Sequence, residues 1–278
     1  MYDAACLSEP QTLQRAVGEL TVSVRRRGEA TVLDGLRQAG CLKARFPRAL
    51  VRGWIDVVTL NMSGGIAGGD RLESAFDVRA GARVSIAAQA AERFYRALPA
   101  SEPSRVYTRI AVEAGAAAEW LPQETILFDR CALDRRLDVV LAEDAWFLGV
   151  ESLVFGRAAM GEAVEQARLR DLIRVWRGGR LLWHDAVRLE GEVAATLRRK
   201  AVAGDARAVA TLVHVACDAK TALDAVRAVL PDEAGASAWN GMLIARILAD
   251  NSAALRASVT AVLRVLRGTR PLPRVWMC

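Results

Sequence analysis

Histidine is nearly absent from this chain. His184 and His214 are the only two, so an H-x-x-x-H metal centre cannot be built and a histidine-based catalytic set lacks material. Asp185 follows His184 directly, and on a strand their side chains point to opposite faces, so they form no dyad. No G-x-S-x-G elbow occurs. Cysteine is sparse and unpaired in pattern. Cys6, Cys41, Cys131, Cys217 and Cys278 are an odd count with no C-x-x-C, which argues against a disulfide framework or a structural zinc site. Cys278 ends the chain and is expected to be exposed and reactive; most of the others read as small core residues. No run of 18 apolar residues is present, so no transmembrane helix is expected. The opening MYDAACLSEP has an early acid and lacks the basic-then-apolar order of a secretory signal, which points to a cytoplasmic protein. Lysine is also scarce: only Lys43, Lys200 and Lys220 accompany the arginines that give a net charge of +6. The clusters Arg25-Arg26-Arg27 and Arg198-Arg199-Lys200 are not interleaved with aromatics, so the charge suits an acidic partner protein better than a nucleic acid.

What is present is strand patterning. In GELTVSVRRRG, Leu20, Val22 and Val24 alternate with polar neighbours. IRVWRGGRLLWHD reads as a hairpin turning at Gly178-Gly179. Three stretches echo one another: 78–96, 112–130 and 140–157. Each runs strand, tight polar turn, strand, and closes on a Phe two residues before an Arg: Phe94/Arg96, Phe128/Arg130 and Phe155/Arg157. The first two align without a gap and the third loses about a residue. Such units suggest stacked layers, each burying a face its neighbour completes, although any β-meander produces echoes.

The last 75 residues or so differ. Residues 206–216 read as a strand. Residues 218–231 read as a helix capped by Asp218, with Leu223, Val226 and Leu230 on one face and Pro231 as its stop. SAWNGMLIARILA (237–249) is ambiguous by period, and its continuous apolar run favours a strand. Residues 251–268 read as a helix capped by Asn251 or Ser252, faced by Leu255, Val259, Val262 and Leu266 and closed by Gly268. The expected fold is mainly β, with sandwiched sheet layers, a β-solenoid-like middle and two α-helices near the C-terminus. Residues 1–278 read as one domain, strands to about 200 and strand–helix–strand–helix thereafter.

The stretch NMSGGIAGGDRLES (61–74) places four glycines in six positions. It lacks the G-K-[ST] of a phosphate loop, and the segment after it alternates Leu72, Ser74, Phe76 and Val78 as a strand. The glycines therefore make a wide turn between strands, which Asp70 can cap through backbone N–H groups. The carboxylates Asp70, Glu124, Glu151 and Glu162 sit beside segments rich in glycine, proline or aromatics. Such oxygens bind divalent ions loosely and suit transit better than storage; solvated or ion-paired acids are the plainer reading.

The motifs LNMSGGIAGGD (60–70), AAQAAERFYRA (87–97), AEWLPQETILFD (118–129), VFGRAAMGE (154–162), GRLLWHDAVRLEG (179–191), SAWNGMLIARIL (237–248) and LPRVW (272–276) resemble, in order, the urease accessory protein UreD (UreH) family. NMS replaces the family's commoner Asn-Thr-Ser-like lead. The resemblance runs from about residue 20 to the end and implies a mainly β fold with two helices and no enzymatic activity. It implies docking on apo-urease and binding of UreF, and through UreF of the GTPase UreG. It also implies an internal tunnel for nickel, which passes as a transient cargo, with no cofactor held tightly. The dinuclear nickel site and its carbamylated lysine belong to urease. Asp70, Glu124, Glu151 and Glu162 fall on family motifs, and the resemblance casts them as lining or gating the nickel path. Gly64, Gly65, Gly68, Gly69, Gln89 and Arg157 are its structural motif positions. No nucleic acid or membrane is implied. A hydrolase would show catalysis by the purified chain alone, and a β-rich nucleic-acid or carbohydrate binder would show affinity without urease components.

Overall fold

A computed structural model describes residues 14–99, 101–157 and 160–277. The chain enters as a hairpin of β1 (Val17–Arg27) and β2 (Ala30–Gly40), then β3 (Leu42–Arg45) and β4 (Ile55–Asn61). Leu20, Val22 and Val24 are buried, as the alternation in β1 predicts. Next come β5 (Arg71–Val78), β6 (Arg83–Ala88) and β7 (Glu92–Phe94), then β8 (Ser104–Val112), β9 (Ala117–Leu121) and β10 (Thr125–Leu127). β11 (Ala132–Leu141) and β12 (Trp146–Phe155) follow. These are the three echoing stretches, and they stack as parallel rungs. β5, β8 and β11 pair in one sheet, β6, β9 and β12 in the other. β7 and β10 form a short parallel ladder ending on β12.

The register corrects the alignment of the echoes. Val78 faces Val112, which faces Leu141 rather than Val140. At the corner the register slips by one, so Phe94 and Phe155 each face Leu127, not Phe128. Phe128 turns away, with Tyr95 edge-on at 5.1 Å and the Arg157 guanidinium 4.1 Å over its ring.

β13 (Gln166–Arg177) and β14 (Arg180–Glu192) form the expected hairpin, its turn residues Gly178 and Gly179 at φ 56° and 77°. α1 (Val193–Leu197) leads to β15 (Ala208–Val215), α2 (Leu223–Arg227), β16 (Ala234–Trp239), β17 (Met242–Ala249) and α3 (Ser252–Arg267). The first sheet runs β14-β13-β11-β8-β5-β1-β2 and the second β16-β17-β15-β12-β9-β6-β4-β3. One apolar core lies between the sheets. A second lies between the outer face of the second sheet and α3, where Leu255, Val259, Val262 and Leu263 are buried. β12 is sandwiched by both cores, which explains its nearly unbroken apolar run.

The architecture is mainly β in stacked layers with helices toward the C-terminus, as the sequence predicts. Three details differ. The helix expected over 218–231 is a 3-10 turn at Ala219–Ala222 followed by the short α2; Asp218 makes no side-chain cap, and the Thr221 hydroxyl bonds back to the Asp218 carbonyl at 2.8 Å instead. The segment 237–249 is a hairpin, because Asn240 and Gly241 take φ 49° and 70° and turn the chain between β16 and β17. On α3, Leu263 and Arg267 join the buried face while Leu266 is only partly covered. Asn251 caps that helix as expected, accepting the Ala254 N–H at 2.9 Å. Of the cysteines, Cys131 is buried and its thiol is pushed up to about 12 by burial; Cys41 is half-buried and Cys217 exposed, against the core reading of the latter. Cys6 and Cys278 lie outside the described residues. No described helix is long and apolar enough to cross a membrane.

Candidate functional site

The glycine stretch is a wide turn between β4 and β5. Asp70 is its buried cap: Oδ1 accepts the Ala16 N–H and Oδ2 the Ala67 N–H, both at 2.8 Å. Gly65 has φ 147° and a Cβ there would lie 2.3 Å from the Tyr95 ring, whose hydroxyl donates to the Gly64 carbonyl at 2.8 Å. A Cβ on Gly68 would meet Ser101 Oγ at 2.5 Å. Gly64 and Gly69 also take left-handed backbone. The glycines thus let the turn lie flat on the segment after β7.

At the start of this turn Asn61 reaches the interior. Its Nδ2 donates to Glu92 Oε2 at 3.2 Å. Burial pushes the Glu92 carboxyl above its ordinary value, partly offset by Asn61 and by the Arg93 N–H. Glu92 borders a cavity of about 120 Å³ between the two sheets. The cavity wall also carries Thr59, Ser74, Thr108, Gln123, Thr125, Trp120, Arg135 and Glu151. Such polar side chains in the wall of an otherwise apolar sandwich are unusual, and the space is large enough for several waters.

Glu151 lies on the same wall. Trp120 Nε1 donates to its Oε1 at 2.7 Å, and Arg135 Nη1 lies 2.8 Å from its Oε2. Arg135 also forks onto Asp171, Nε to Oδ1 at 2.8 Å and Nη2 to Oδ2 at 2.7 Å, and donates to the Thr125 hydroxyl at 2.8 Å. β11 and β13 set Arg135 opposite Asp171 in register. Burial raises the Glu151 carboxyl, with Arg135 working against that rise; the Arg135 guanidinium is held charged by its two carboxylates despite burial. Beyond the cluster lies a second space of about 20 Å³, bordered by Glu151, Asp171, Asp185, Thr211 and Arg246. Arg246 on β17 pairs with Asp185 on β14 at its outer side and so ties the two sheets together.

Of the four acids expected on a metal path, the structure places only Glu151 on these spaces. Glu124 is buried but turned toward α3, 3.2 Å from Arg256, whose guanidinium also bonds Gln123 Oε1 and sits over Trp276. Glu162 closes a loop, accepting Arg157 Nε at 2.6 Å. Asp70 caps the glycine turn. The four are thus not brought together, and no group of three or more His, Cys, Asp or Glu suited to hold a metal occurs among the described residues. Gln89 is exposed, with its backbone N–H on the Thr59 carbonyl at 3.0 Å; Arg157 stacks on Phe128 as described. The sequence reading missed Glu92, Arg135 and Asp171. Its available signal was phase: Ser74, Thr108, Arg135 and Asp171 each occupy an inward position of an otherwise apolar alternation.

The chain matches the family model described as UreD urease accessory protein over residues 16–277. It is 47% identical over 259 residues to the urease accessory protein UreD of Methylobacterium sp. (strain 4-46), covering 90% of each chain. It is 44% identical over 267 residues to that of Azorhizobium caulinodans, covering 95% of this chain and 97% of the relative. With that of Ruegeria pomeroyi it shares 45% identity over 250 residues, 90% of this chain and 96% of the relative.

Proposed function

The chain belongs to the UreD family of urease accessory proteins, and from that premise we propose that it docks on apo-urease, binds UreF and through it UreG, and passes nickel between its two sheets toward the urease site. Its role is in urease maturation and is not enzymatic. Nickel is cargo here, bound in passing by carboxylate and hydroxyl oxygens that exchange readily.

One observation carries the route: a cavity between the sheets whose largely apolar wall holds the carboxylates Glu92 and Glu151, with Glu151 also bordering a second small space. Glu151 therefore takes the central place among the four acids of the sequence reading, with Glu92 added. Asp70, Glu124 and Glu162 support the turn, the α3 contact and the loop that frame the route.

The test begins with co-expression with the same organism's UreF, affinity capture and size exclusion, for which co-elution is expected. Glu151→Gln is then carried into the urease-bound assembly. Assembly is expected to persist while urease activation slows; activation at the wild-type rate would place the nickel route elsewhere.

A further inference from the structure

Between the 120 Å³ cavity and the 20 Å³ space stands a partition made of three side chains. Arg135 faces the first, Asp171 the second, and Glu151 borders both. The Arg135 guanidinium lies within 2.8 Å of oxygens on both carboxylates. It thus occupies the point where any cation moving between the two spaces would meet Glu151 and Asp171. Beyond, Asp185 and Arg246 repeat the arrangement at the outer wall, with Arg246 partly exposed. Two arginine–carboxylate contacts, Arg135 with Asp171 and Arg246 with Asp185, therefore adjoin the small space.

We propose that Arg135 is a gate on this route and Arg246 a second, outer latch. The inference rests on the nickel route proposed above. In the resting protein Arg135 supplies the counter-charge of Glu151 and Asp171 and seals the partition. A divalent cation crosses by taking its place. One guanidinium beside two carboxylate groups leaves the cluster short of positive charge, which draws an approaching dication toward it. The guanidinium then closes again and displaces the ion onward, which keeps a carboxylate pair from becoming a trap.

The small space adds a steric constraint. About 20 Å³ admits a single water-sized occupant, so the ion must shed most of its hydration shell there. Carboxylate oxygens of Glu151 and Asp171 and the Thr211 hydroxyl, which border that space, replace part of it.

The test uses the full chain and nickel(II) chloride in equilibrium dialysis, with magnesium as the competing ion. Arg135→Gln removes the internal competitor, and its nickel affinity is expected to rise roughly tenfold over wild type, a change of the size that follows loss of groups around a metal. In the assembled urease complex the same variant is expected to slow activation because the ion stalls. A folded Arg135→Gln chain, by circular dichroism, with wild-type nickel affinity and wild-type activation would overturn the gate. If that variant does not fold, Arg246→Gln decides: tighter nickel binding supports the latch and unchanged binding overturns it. Glu151→Gln run in parallel separates the two ideas. Normal activation in that variant removes the route itself. Slow activation there, with Arg135→Gln behaving as wild type, leaves the route and removes only the gate.

Discussion

Arg135 and Arg267 both lie buried against carboxylates, with side-chain exposures of 10% and 4%, yet their surroundings differ. Arg267 on α3 forks onto the fully buried Glu119 of β9, Nε and Nη2 each 2.9 Å from an oxygen. A second arginine, Arg270, places Nη1 2.7 Å from the same carboxylate as an ion contact. Arg270 is itself held between Trp54 and Trp146, 4.2 Å and 4.9 Å from their ring centroids. None of the cavities described above borders Glu119. Around Arg135 the neighbours are Thr125, Glu151 and Asp171, and it borders a space large enough for water. The same pairing of residue types is enclosed by aromatic rings in one place, a clamp, and adjoins open space in the other, where we propose that it moves. The ion pair alone does not tell the two apart; the free volume beside it does.

Breaking the clamp gives the largest effect. Glu119→Gln leaves two arginines buried with no carboxylate, and loss of one partner from a buried pair costs about 3–5 kcal/mol. Urea denaturation of the full chain measures it, with nickel affinity expected to stay at the wild-type value. The matching change at the partition, Glu151→Gln, is expected to cost less, about 1.5–3 kcal/mol for a hydrogen bond to a charged group. Arg135 keeps its fork on Asp171 and the vacated oxygen position can be reached by water. If the two variants lose equal stability, the contrast between clamp and partition disappears. Midway down the scale, Asn251→Ala removes the cap of the helix that carries Arg256 and Arg267, for about 1 kcal/mol. It is expected to lower the melting temperature without changing urease activation.

Local pattern made much of this fold legible. Alternation marked β1 and β5, paired glycines marked the β13–β14 turn, and the heptad-like spacing from Leu255 with Asn251 ahead of it marked α3. The stacked rungs were visible as echoes because each repeats the same strand–turn–strand unit. The slip at Phe128 was not, since a corner can absorb one residue without changing the pattern on either side. Asn240-Gly241 was overlooked inside a continuous apolar run, where the turn signal is two residues long and the run is thirteen. The site was least legible. Asp70 carried two readings, and the backbone N–H groups of Ala16 and Ala67 bear out the cap. Glu151 stood out by its motif, but Arg135 and Asp171 lie 36 residues apart along the chain and meet only through the register of β11 with β13. Periodicity reports which way a side chain faces. It does not report whether the space it faces is filled.

Glu92, elsewhere on the cavity wall, offers the smallest and most diagnostic effect. Its carboxyl is raised above the ordinary value of 4.5, chiefly by burial, with Asn61 and the Arg93 N–H pulling the other way. A raised folded-state value means the folded chain holds its proton longer than the unfolded one does. The resulting stabilisation is full below the unfolded value and is lost as pH rises through the folded one. Glutamine mimics the protonated acid and has no proton to lose. Glu92→Gln should therefore match wild type near pH 4 and become the more stable of the two as pH rises above 4.5. Melting temperatures across pH 4–7 measure the difference, and a gap that narrows with rising pH would contradict the burial of this carboxylate. With the expected widening gap, the natural acid is less favourable for folding than glutamine at neutral pH. A charge kept at the cavity wall against that tendency is what a route for cations requires and what a closed clamp does not.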